Sequence, residues 1–538
     1  MGTKQLLFND AARGALLAGV DAVADAVEVT LGPRGRNVLY IRPEDKPTLD
    51  EGGLTITNDG VSVASQLEFA DRAKNLGATL VREAAANTNH NAGDGTTTAI
   101  LLARAMLRAG LHRIAAGAEP VPLRRGIEWA VERAVEHLRE QAIEVDGREQ
   151  LERVATISGG DPEVAKMVAD AFDRLGPDAV VTVEPGQTTE IEYEITSGTK
   201  WNRGYISPYF ITNEQRGEAV LDEPYILLVD RKLESAHELL HVFELVKETG
   251  KPLFIVARRV DGEALAMLLV NKFQGVLQSA AAMPPDYALR RRRMMDDIAV
   301  MTGGKVVSEE SGLELDTLTL DDLGRANRVI SDRHTTTIIE GWGDPEEIAA
   351  RRKAMREEAH DTAYSFYRRK FTERQTRLAS QIALFRVGAH TDAEITERRM
   401  RLDDAVQATR AALEEGIVPG GGTAFLRAQE ALAGFEGSED EAIGVGIVRD
   451  ALADPVARIA SNSGFDGQAV LARVREMGPR EGFDAFAGVY GDLVERGVID
   501  PVKVVRTALE NAASVAKTLL LAEALVLDLS APAEEEQG

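Results

Sequence analysis

Cysteine is absent from the 538-residue chain, which excludes disulfide bonds and thiolate metal sites. The eight histidines form no HExxH pattern and no other paired spacing, so a catalytic zinc site is not expected. No run of about 18 apolar residues occurs, and residues 1–10 lack the basic region and apolar run of a signal peptide. We therefore expect a cytoplasmic protein without a membrane-spanning segment.

Basic residues are fewer than acidic ones, 62 against 87, which gives a formal net charge of -25. A surface this acidic repels phosphate backbones and anionic lipid, so neither nucleic acid nor a membrane is an expected partner. The simplest interpretation of the charge is solubility. The length predicts two to four domains, and an apolar content of 44% is enough for globular cores.

The pattern along the chain is helical, then mixed, then helical again. Helical spacing is seen at 11–29, 96–108 and 123–140, with a short strand at 37–41. Runs typical of strands lie at 179–184, 190–196, 225–229 and 252–256. Residues 346–377 are typical of a charged helical hairpin, and the last 140 residues return to alanine-rich helices. One topology that fits inserts the middle between two halves of a helical domain.

The segment Gly93-Asp94-Gly95-Thr96-Thr97-Thr98 stands directly before an apolar helix. Glycines allow close approach of a ligand, and free N–H groups at a helix start favour an anion. An aspartate there is explained if a divalent cation joins it to phosphates. The alternative is an ordinary helix cap, since Asp and Thr are common at that position. The segment is not a P-loop, because no Gly-Lys-Ser/Thr follows it.

Three further segments have the same character. They are the glycine turn at residues 30–35, the Asn58-Asp59-Gly60 turn, and Gly420-Gly421-Gly422 after a helix that carries Asp403 and Asp404. Each alone is commonplace, because Gly-Pro turns end helices and Asp-Gly pairs form turns.

Taken together, the motifs resemble the group I chaperonins, the bacterial GroEL-type ring chaperones. The matching stretches occur in the family's order: TLGPRGRNV, NDGVSVA, AGDGTTTAILLA, RGYISPYF, GEALAMLLVN, TTTIIEG, DDAVQATRAALEEGIVPGGG and DPVKVVRTALENAASVA. The resemblance extends from about residue 2 to residue 528.

The resemblance implies a multidomain α+β fold. A mainly helical equatorial ATPase domain would comprise residues 1–140 and 415–529, and a small intermediate hinge domain residues 141–197 and 383–414. An α/β apical domain that binds substrate would be inserted at 198–382, and residues 530–538 would form a disordered acidic tail. It also implies a homo-oligomer of heptameric rings, single or double, and a GroES-type co-chaperonin as partner.

The resemblance also assigns a nucleotide site with ATP, Mg²⁺ and K⁺ as cofactors. Asp404 would orient or deprotonate the attacking water, with Asp59 near the γ-phosphate, and Asp94 would hold Mg²⁺. The remaining nucleotide contacts would come from Thr30, Leu31, Gly32, Pro33, Asn58, Gly95, Thr96, Thr97, Thr98, Ile157, Ser158, Gly421, Asp484, Ala485, Val498 and Asp500.

Two apolar helical stretches, residues 238–247 and 263–273, are open to two interpretations. On periodicity alone both belong to a core. The resemblance instead implies a groove that binds non-native polypeptides, because apolar burial needs no particular sequence. The groove residues would be Tyr205, Tyr209, Phe210, Leu240, Phe243, Leu265, Leu269 and Val270.

Several positions depart from the family pattern. Asn58 replaces a lysine near the phosphates, Phe486 replaces a small alanine near the base, and Ser380-Gln381 replaces a glycine pair at a hinge. The leading hypothesis is an ATP-driven folding chaperone. Asn58 and the altered hinge motivate a holdase with weak ATP turnover as an alternative, and a phosphotransferase using Asp59, Asp94 and Asp404 is a remote one.

Overall fold

The computed structural model of the chain describes residues 4–41, 54–177, 179–186, 188–213, 216–285, 288–361 and 381–528. The chain divides into two compact units. Unit 1 comprises Met1–Asp178, Pro185–Ile191 and Val387–Gly538, and unit 2 comprises Ala179–Glu184 and Glu192–Arg386. Unit 2 is thus an insertion in the sequence of unit 1. A separate intermediate domain stays a prediction, and the expected tail at 530–538 lies outside the described residues.

Helices dominate unit 1 and alternate with strands in unit 2. Within the described residues they are α1 Asn9–Val27, α2 Gly60–Ser65, α3 Arg72–Ala92, α4 Thr96–Ala115, α5 Pro120–Glu140, α6 Arg148–Gly159, α7 Pro162–Leu175, α8 Ala236–Thr249, α9 Gly262–Phe273, α10 Ala288–Thr302, α11 Pro345–Asp361, α12 Asp392–Glu415, α13 Thr423–Ala428, α14 Glu439–Ala451, α15 Asp454–Asn462, α16 Gly467–Arg475 and α17 Val502–Leu520.

The strands of the same residues are short in unit 1 and longer in unit 2. They are β1 Lys4–Phe8, β2 Val38–Ile41, β3 Leu54–Thr57, β4 Val180–Pro185, β5 Ile191–Trp201, β6 Ala219–Asp222, β7 Tyr225–Leu233, β8 Leu253–Val260, β9 Ser279–Ala282, β10 Val306–Val307, β11 Gly324–Ser331, β12 Thr336–Gly341, β13 Gln381–Val387, β14 Ile417–Pro419, β15 Glu481–Asp484, β16 Val489–Asp492, β17 Ile499–Pro501 and β18 Ala524–Asp528.

Close helix packing forms the core of unit 1. α1 and α3 meet where a Cβ on Gly19 would lie 1.9 Å from Lys74 O, so only glycine fits there. Buried apolar residues of α4, α5, α14 and α17 complete the core. Because α4 is buried along most of its length, its first turn is held in a fixed position.

Among the described residues, unit 1 contains four two-stranded antiparallel sheets: β1–β18, β2–β3, β14–β17 and β15–β16. The β14–β17 pair sets Val418 opposite Asp500, which brings the start of the Gly420-Gly421-Gly422 turn beside the strand that carries Asp500.

Unit 2 contains a mixed sheet. Its strands follow the order β4-β13-β5-β12-β11-β7-β8-β9, with β10 on β7 and β6 on β11. β7, β8 and β9 are parallel, and α8 and α9 form the crossovers between them. The continuous apolar runs of β7 and β8 follow from burial on both faces.

Most predicted elements occur with somewhat different ends. The helix predicted at 96–108 continues to Ala115, and the strand predicted at 190–196 continues to Trp201. Of the hairpin predicted at 346–377, α11 forms the first part, and residues 362–380 lie outside the described residues. No helix among the described residues is long and apolar enough to cross a membrane.

Candidate functional site

The glycines of the Gly93–Thr98 segment set the geometry at the start of α4. Gly93 has φ 74° and Gly95 has φ 83°, a left-handed conformation that favours glycine. Gly95 occupies the N-cap position and has no side chain, so it cannot cap the first-turn N–H groups of α4. The interpretation of this segment as an ordinary side-chain cap is therefore wrong. The helix start is open to an anionic ligand.

The glycine turn at residues 30–35 lies against this helix start. Thr30 Oγ1 is 3.4 Å from Thr97 Oγ1, and it donates a hydrogen bond of 2.8 Å to Val27 O. The amide of Asn462 holds the turn from the other side by donating to Glu28 O at 2.7 Å and Leu31 O at 2.9 Å. Leu31 is partly buried against the core, a Cβ on Gly32 would lie 3.1 Å from Ile459 Cγ2, and Pro33 is exposed.

The Asp59 turn approaches the same threonine. A Cβ on Gly60 would lie 2.0 Å from Thr97 Oγ1, so the backbone of the turn packs directly on α4. Asp59 caps α2, accepting hydrogen bonds from Val61 N at 3.2 Å and Ser62 N at 2.9 Å. The preceding residue, Asn58, is exposed. Thr97 is thus the point where three sequence-distant segments meet.

Two further helices flank Asp94. Ser158 of α6 donates to Asp94 Oδ2 at 3.2 Å. A Cβ on Gly93 would lie 2.1 Å from the Cβ of Gln407, so α12 packs on the loop that carries Asp94. α12 also contacts α6, where a Cβ on Gly159 would lie 2.9 Å from the Cβ of Ala405. Asp404, one residue before Ala405, is thereby held beside the α4 start.

Ion pairs at the end of α12 fix that helix to α17. Glu415 accepts from Arg506 Nε at 2.6 Å, and Glu414 pairs with Lys503. The helix ends at Gly416, which has φ 81° and allows the chain to turn into β14. The Asp404-bearing helix is therefore anchored at its carboxyl end.

The aspartates of this region carry charge that is poorly solvated. Burial raises the pKa of Asp94. Burial, followed by the charges of Asp94, Asp59 and Asp403, raises the pKa of Asp404 well above its ordinary value. Burial and the charge of Asp94 raise the pKa of Asp500 to about 7. In the part of the chain that the structure describes, Asp59, Asp94, Asp404 and Asp500 form no ion pair with lysine or arginine. A bound cation would relieve this repulsion.

The donor set fits magnesium better than a metal held by protein alone. Among the described residues, no group of three or more His, Cys, Asp and Glu side chains is arranged to hold an ion. Mg²⁺ keeps several waters and uses one or two carboxylates together with phosphate oxygens. Asp94, beside the open start of α4, would supply one such carboxylate.

The Gly420-Gly421-Gly422 turn forms the other side of the site. Gly420 N donates to Val498 O at 2.9 Å, and a Cβ on Gly420 would lie 3.0 Å from Asp500 Oδ1. A Cβ on Gly421, which has φ 63°, would lie 3.5 Å from Phe483 O and 3.9 Å from Val498 Cγ1. The predicted residues Gly421, Val498 and Asp500 are therefore neighbours.

Two predicted contacts are placed differently from the expectation. The buried Asp484 carboxylate accepts from Phe486 N at 3.1 Å, Ala487 N at 3.0 Å and Arg496 Nε at 3.1 Å, so its oxygens already have partners within the protein. Ala485 is buried beside it, whereas Phe486 and Ala487 are exposed, and Phe486 is the large exposed side chain of this turn. Ile157 is exposed on α6, next to Ser158.

Sequence reasoning missed the residues that hold the site together. Asn462 and Gln407 give no recognisable signal, because each contacts a segment hundreds of positions away. Arg34 stands within a quoted motif, but its bonds to Phe486 O and Ser463 O become visible only in the fold.

A second candidate site lies on α8, α9 and the Pro208–Phe210 turn of unit 2. Tyr209, Leu240 and Val270 are 63%, 44% and 51% exposed. Tyr205, Leu265 and Leu269 are partly buried against the core. Together these residues form an apolar surface, which we call the two-helix surface.

The assignment of Phe210 and Phe243 to that surface is wrong for this conformation. Both side chains lie in the core of unit 2, at 0% and 6% exposure, and support the surface from beneath. Phe273, which was not predicted, is exposed, and its ring centroid lies 6.2 Å from that of Tyr209. Periodicity could not separate these cases, because both faces of the segment are apolar.

The family assignment rests on residues 23–529, which match the model of the TCP-1/cpn60 chaperonin family. The chain belongs to the TCP-1/cpn60 chaperonin family. The relationship predicted from the motifs is confirmed over nearly the whole length, as is the multidomain α+β fold. Membership removes the unrelated phosphotransferase from consideration.

A solved structure has the same fold as this chaperonin chain. It is the chaperonin gp146 from the bacteriophage EL 2 (Pseudomonas aeruginosa), crystallised in the presence of ATP-BeFx. The two sequences are 23% identical, the match covers 97% of this chain and 99% of that chain, and the TM-score is 0.67.

Proposed function

We propose that the chain is an ATP-hydrolysing chaperonin subunit that binds non-native polypeptides and promotes their folding. The observation that carries the proposal is the junction of α4, α6 and α12. There the open helix start and the carboxylates of Asp59, Asp94 and Asp404 come together from distant parts of the sequence. Crystallisation of the chaperonin gp146, which has the same fold, in the presence of ATP-BeFx supports a nucleotide as the ligand.

In this proposal each residue has a defined task. The Thr96–Thr98 turn and the backbone of residues 30–33 would bind the phosphates, since both offer hydrogen-bond donors at the α4 start. Asp94 would hold Mg²⁺, which would neutralise charge on the phosphates. Asp404 would orient and deprotonate the attacking water, because it is the carboxylate that α12 presents beside Asp94.

The state of Asp404 gives a reason for coupling hydrolysis to a bound cation. Burial and the neighbouring aspartates raise its pKa, which favours the protonated acid. A general base must be ionised. Burial is the larger cause of the raised pKa, and the charge of Asp94 is the next. Neutralising the charge on Asp94 would lower the pKa of Asp404, so a bound cation would favour the ionised base. K⁺ remains part of the proposal as an accessory ion.

Client binding is assigned to the two-helix surface. Its exposed apolar side chains offer contact without directional bonds, which suits unfolded chains of many sequences. A GroES-type co-chaperonin would compete for the same surface. The proposal thus assigns the client binding expected of a chaperonin to a specific surface of unit 2.

Two small sheets of unit 1 support the proposal of ring assembly. β1–β18 and β2–β3 are two-stranded sheets that expose large apolar residues, among them Leu6, Phe8, Leu39 and Val526. Two-stranded sheets are only marginally stable alone, and their free edges pair readily with another chain. We assign both sheets to subunit contacts in a homo-oligomeric ring, expected to be heptameric.

The proposal is tested by steady-state ATP hydrolysis with Mg²⁺ and K⁺ present. Asp404→Ala should retain ATP affinity and lose hydrolysis by a factor of about 10² to 10⁴, the usual contribution of a general base. Asp403→Ala, which removes the adjacent carboxylate of the same helix, should retain most of the activity. Loss of activity in both variants, or in neither, would contradict the role of Asp404.

The alternative of a holdase has one observation in its favour. Asn58 is exposed beside Asp59 and adds no positive charge to a region crowded with carboxylates. A holdase would suppress aggregation of an unfolded protein equally well with and without ATP, and the wild type would hydrolyse ATP only weakly. An ATP-dependent refolding yield would exclude it.

A further inference from the structure

Phe486 is exposed at a place where the backbone is tightly held. Its side chain is 70% exposed, although it sits between the buried Ala485 and the hydrogen-bonded Ala487. The turn is closed by Asp484, whose carboxylate accepts from Phe486 N and whose carbonyl accepts from Gly488 N at 2.8 Å. Gly488 takes the left-handed φ of 72° that the turn needs. A rigid turn thus presents a large aromatic ring to its surroundings.

The Phe486 turn is tied directly to the glycine turn of the nucleotide site. Arg34 follows Pro33 and donates to Phe486 O at 2.9 Å and to Ser463 O at 3.4 Å. The same hairpin touches the site from a second side, because Phe483 O lies 3.5 Å from the position of a Cβ on Gly421. Phe486 is therefore anchored between the residue 30–35 turn and the Gly420-Gly421-Gly422 turn.

The two ends of this region differ in chemistry. The end at the α4 start carries threonine hydroxyls and aspartates, which suit phosphates and a cation. The end at Phe486 carries an exposed aromatic side chain, on a turn that Arg34 connects to the residue 30–35 turn and its exposed Pro33. An exposed aromatic ring suits a planar heterocycle and offers nothing to a phosphate.

We infer that Phe486 is a nucleobase-stacking residue that tightens nucleotide binding in this protein. Arg34 and Asp484 act as positioning residues, since they hold the turn and not the ligand. Stacking on an aromatic ring is tolerant of base identity, because every base has a π-face. Phe486 should therefore strengthen the binding of adenine and guanine nucleotides in equal measure. This inference rests on the proposed function, because it requires that the site bind a nucleotide.

The test is equilibrium binding of ATP, GTP and inorganic tripolyphosphate, each with Mg²⁺, to the full-length wild type and to variants of Phe486. Phe486→Ala should weaken ATP and GTP about tenfold each and leave tripolyphosphate unchanged. Phe486→Tyr, which keeps the ring, should bind like the wild type. Phe486→Leu, which keeps apolar bulk without a ring, should resemble the alanine variant.

The outcomes separate the inference from the proposed function. If Phe486→Ala binds ATP as tightly as the wild type, or loses tripolyphosphate in the same proportion, Phe486 does not stack on the base. If the leucine variant binds like the wild type, bulk and not stacking is responsible. If the wild type binds neither ATP nor GTP, the proposed nucleotide site itself fails. Phe486→Trp adds a direct readout, since ATP binding should quench its fluorescence and tripolyphosphate should not.

Discussion

The Asp500 carboxylate lies beside the Gly420-Gly421-Gly422 turn, where burial and the negative charge of Asp94 make ionisation unfavourable. Burial first, and the charge of Asp94 second, raise the pKa of Asp500 to about 7 from 3.8. The folded chain therefore keeps this proton through a range in which the unfolded chain has already lost it. Its contribution to stability is present at acidic pH and is lost as the pH rises toward 7.

The raised pKa of Asp500 predicts how stability changes with pH in the protein without nucleotide or divalent ion. The free energy of unfolding should fall between about pH 4 and pH 7, with Asp500 contributing on the order of 4 kcal/mol. Asp500→Asn should match the wild type near pH 4.5 and be more stable than it at pH 8. Denaturant unfolding of both proteins at several pH values measures this. Parallel pH profiles would show that Asp500 titrates normally in the folded chain.

At the scale of elements, α8 and α9 each divide their residues between core and surface. Leu239 and Leu268 are buried in unit 2, whereas Leu240 and Val270 are about half exposed. The fold therefore depends on one set of apolar residues and the proposed client binding on another. The two can be altered separately.

Replacing the exposed pair tests the two-helix surface. The double variant Leu240→Ser, Val270→Ser should keep its fold, and it should bind a chemically denatured client roughly tenfold or more weakly. Each lost apolar contact is worth about 1 kcal/mol. Val121→Ser, at a similarly exposed position on α5 of unit 1, is the control and should bind normally. Binding can be followed by light scattering of the aggregating client. If the double variant binds the client as tightly as the wild type, the two-helix surface is not the client-binding site.

The elements also show how far the sequence alone could go. The helix start at Thr96 was predictable because glycines and threonines before an apolar run have a direct physical meaning there. The burial of Phe210 was not, because the two sides of an apolar segment look the same until the sheet beneath it is known. The positions of Asn462 and Gln407 were also beyond reach, since their contacts depend on how distant helices pack.

At the scale of the whole molecule, a chain of net charge -25 would form the proposed ring against its own repulsion. Apolar contacts at the β1–β18 and β2–β3 sheets of unit 1 would have to offset this cost, because these sheets carry the exposed Phe8 and Leu39. The oligomer should therefore be favoured by salt, which screens like charges over about 10 Å at 0.1 M.

Charge introduced at those sheets should dissociate the oligomer. We expect Phe8→Glu and Leu39→Glu each to shift the assembly toward single subunits, since a carboxylate would replace an apolar contact. Val121→Glu adds the same charge elsewhere and should leave the assembly intact. Sedimentation velocity at low and high salt gives the distribution and the number of subunits per ring. Unchanged sedimentation of both sheet variants would place the subunit contacts elsewhere.

The anchoring of α12 to α17 by Glu414 and Glu415 has a mechanical consequence. A helix fixed at its carboxyl end behaves as a rigid arm, and Asp404 lies roughly 16 Å along this arm from the fixed point, at 1.5 Å per residue. A swing of only about 10° about that point would carry the carboxylate about 3 Å, roughly the length of one hydrogen bond. In the proposed mechanism, a swing of this size would be enough to bring Asp404 within bonding distance of the attacking water or to withdraw it, and it would have to loosen the packing of α12 on the Gly93 turn.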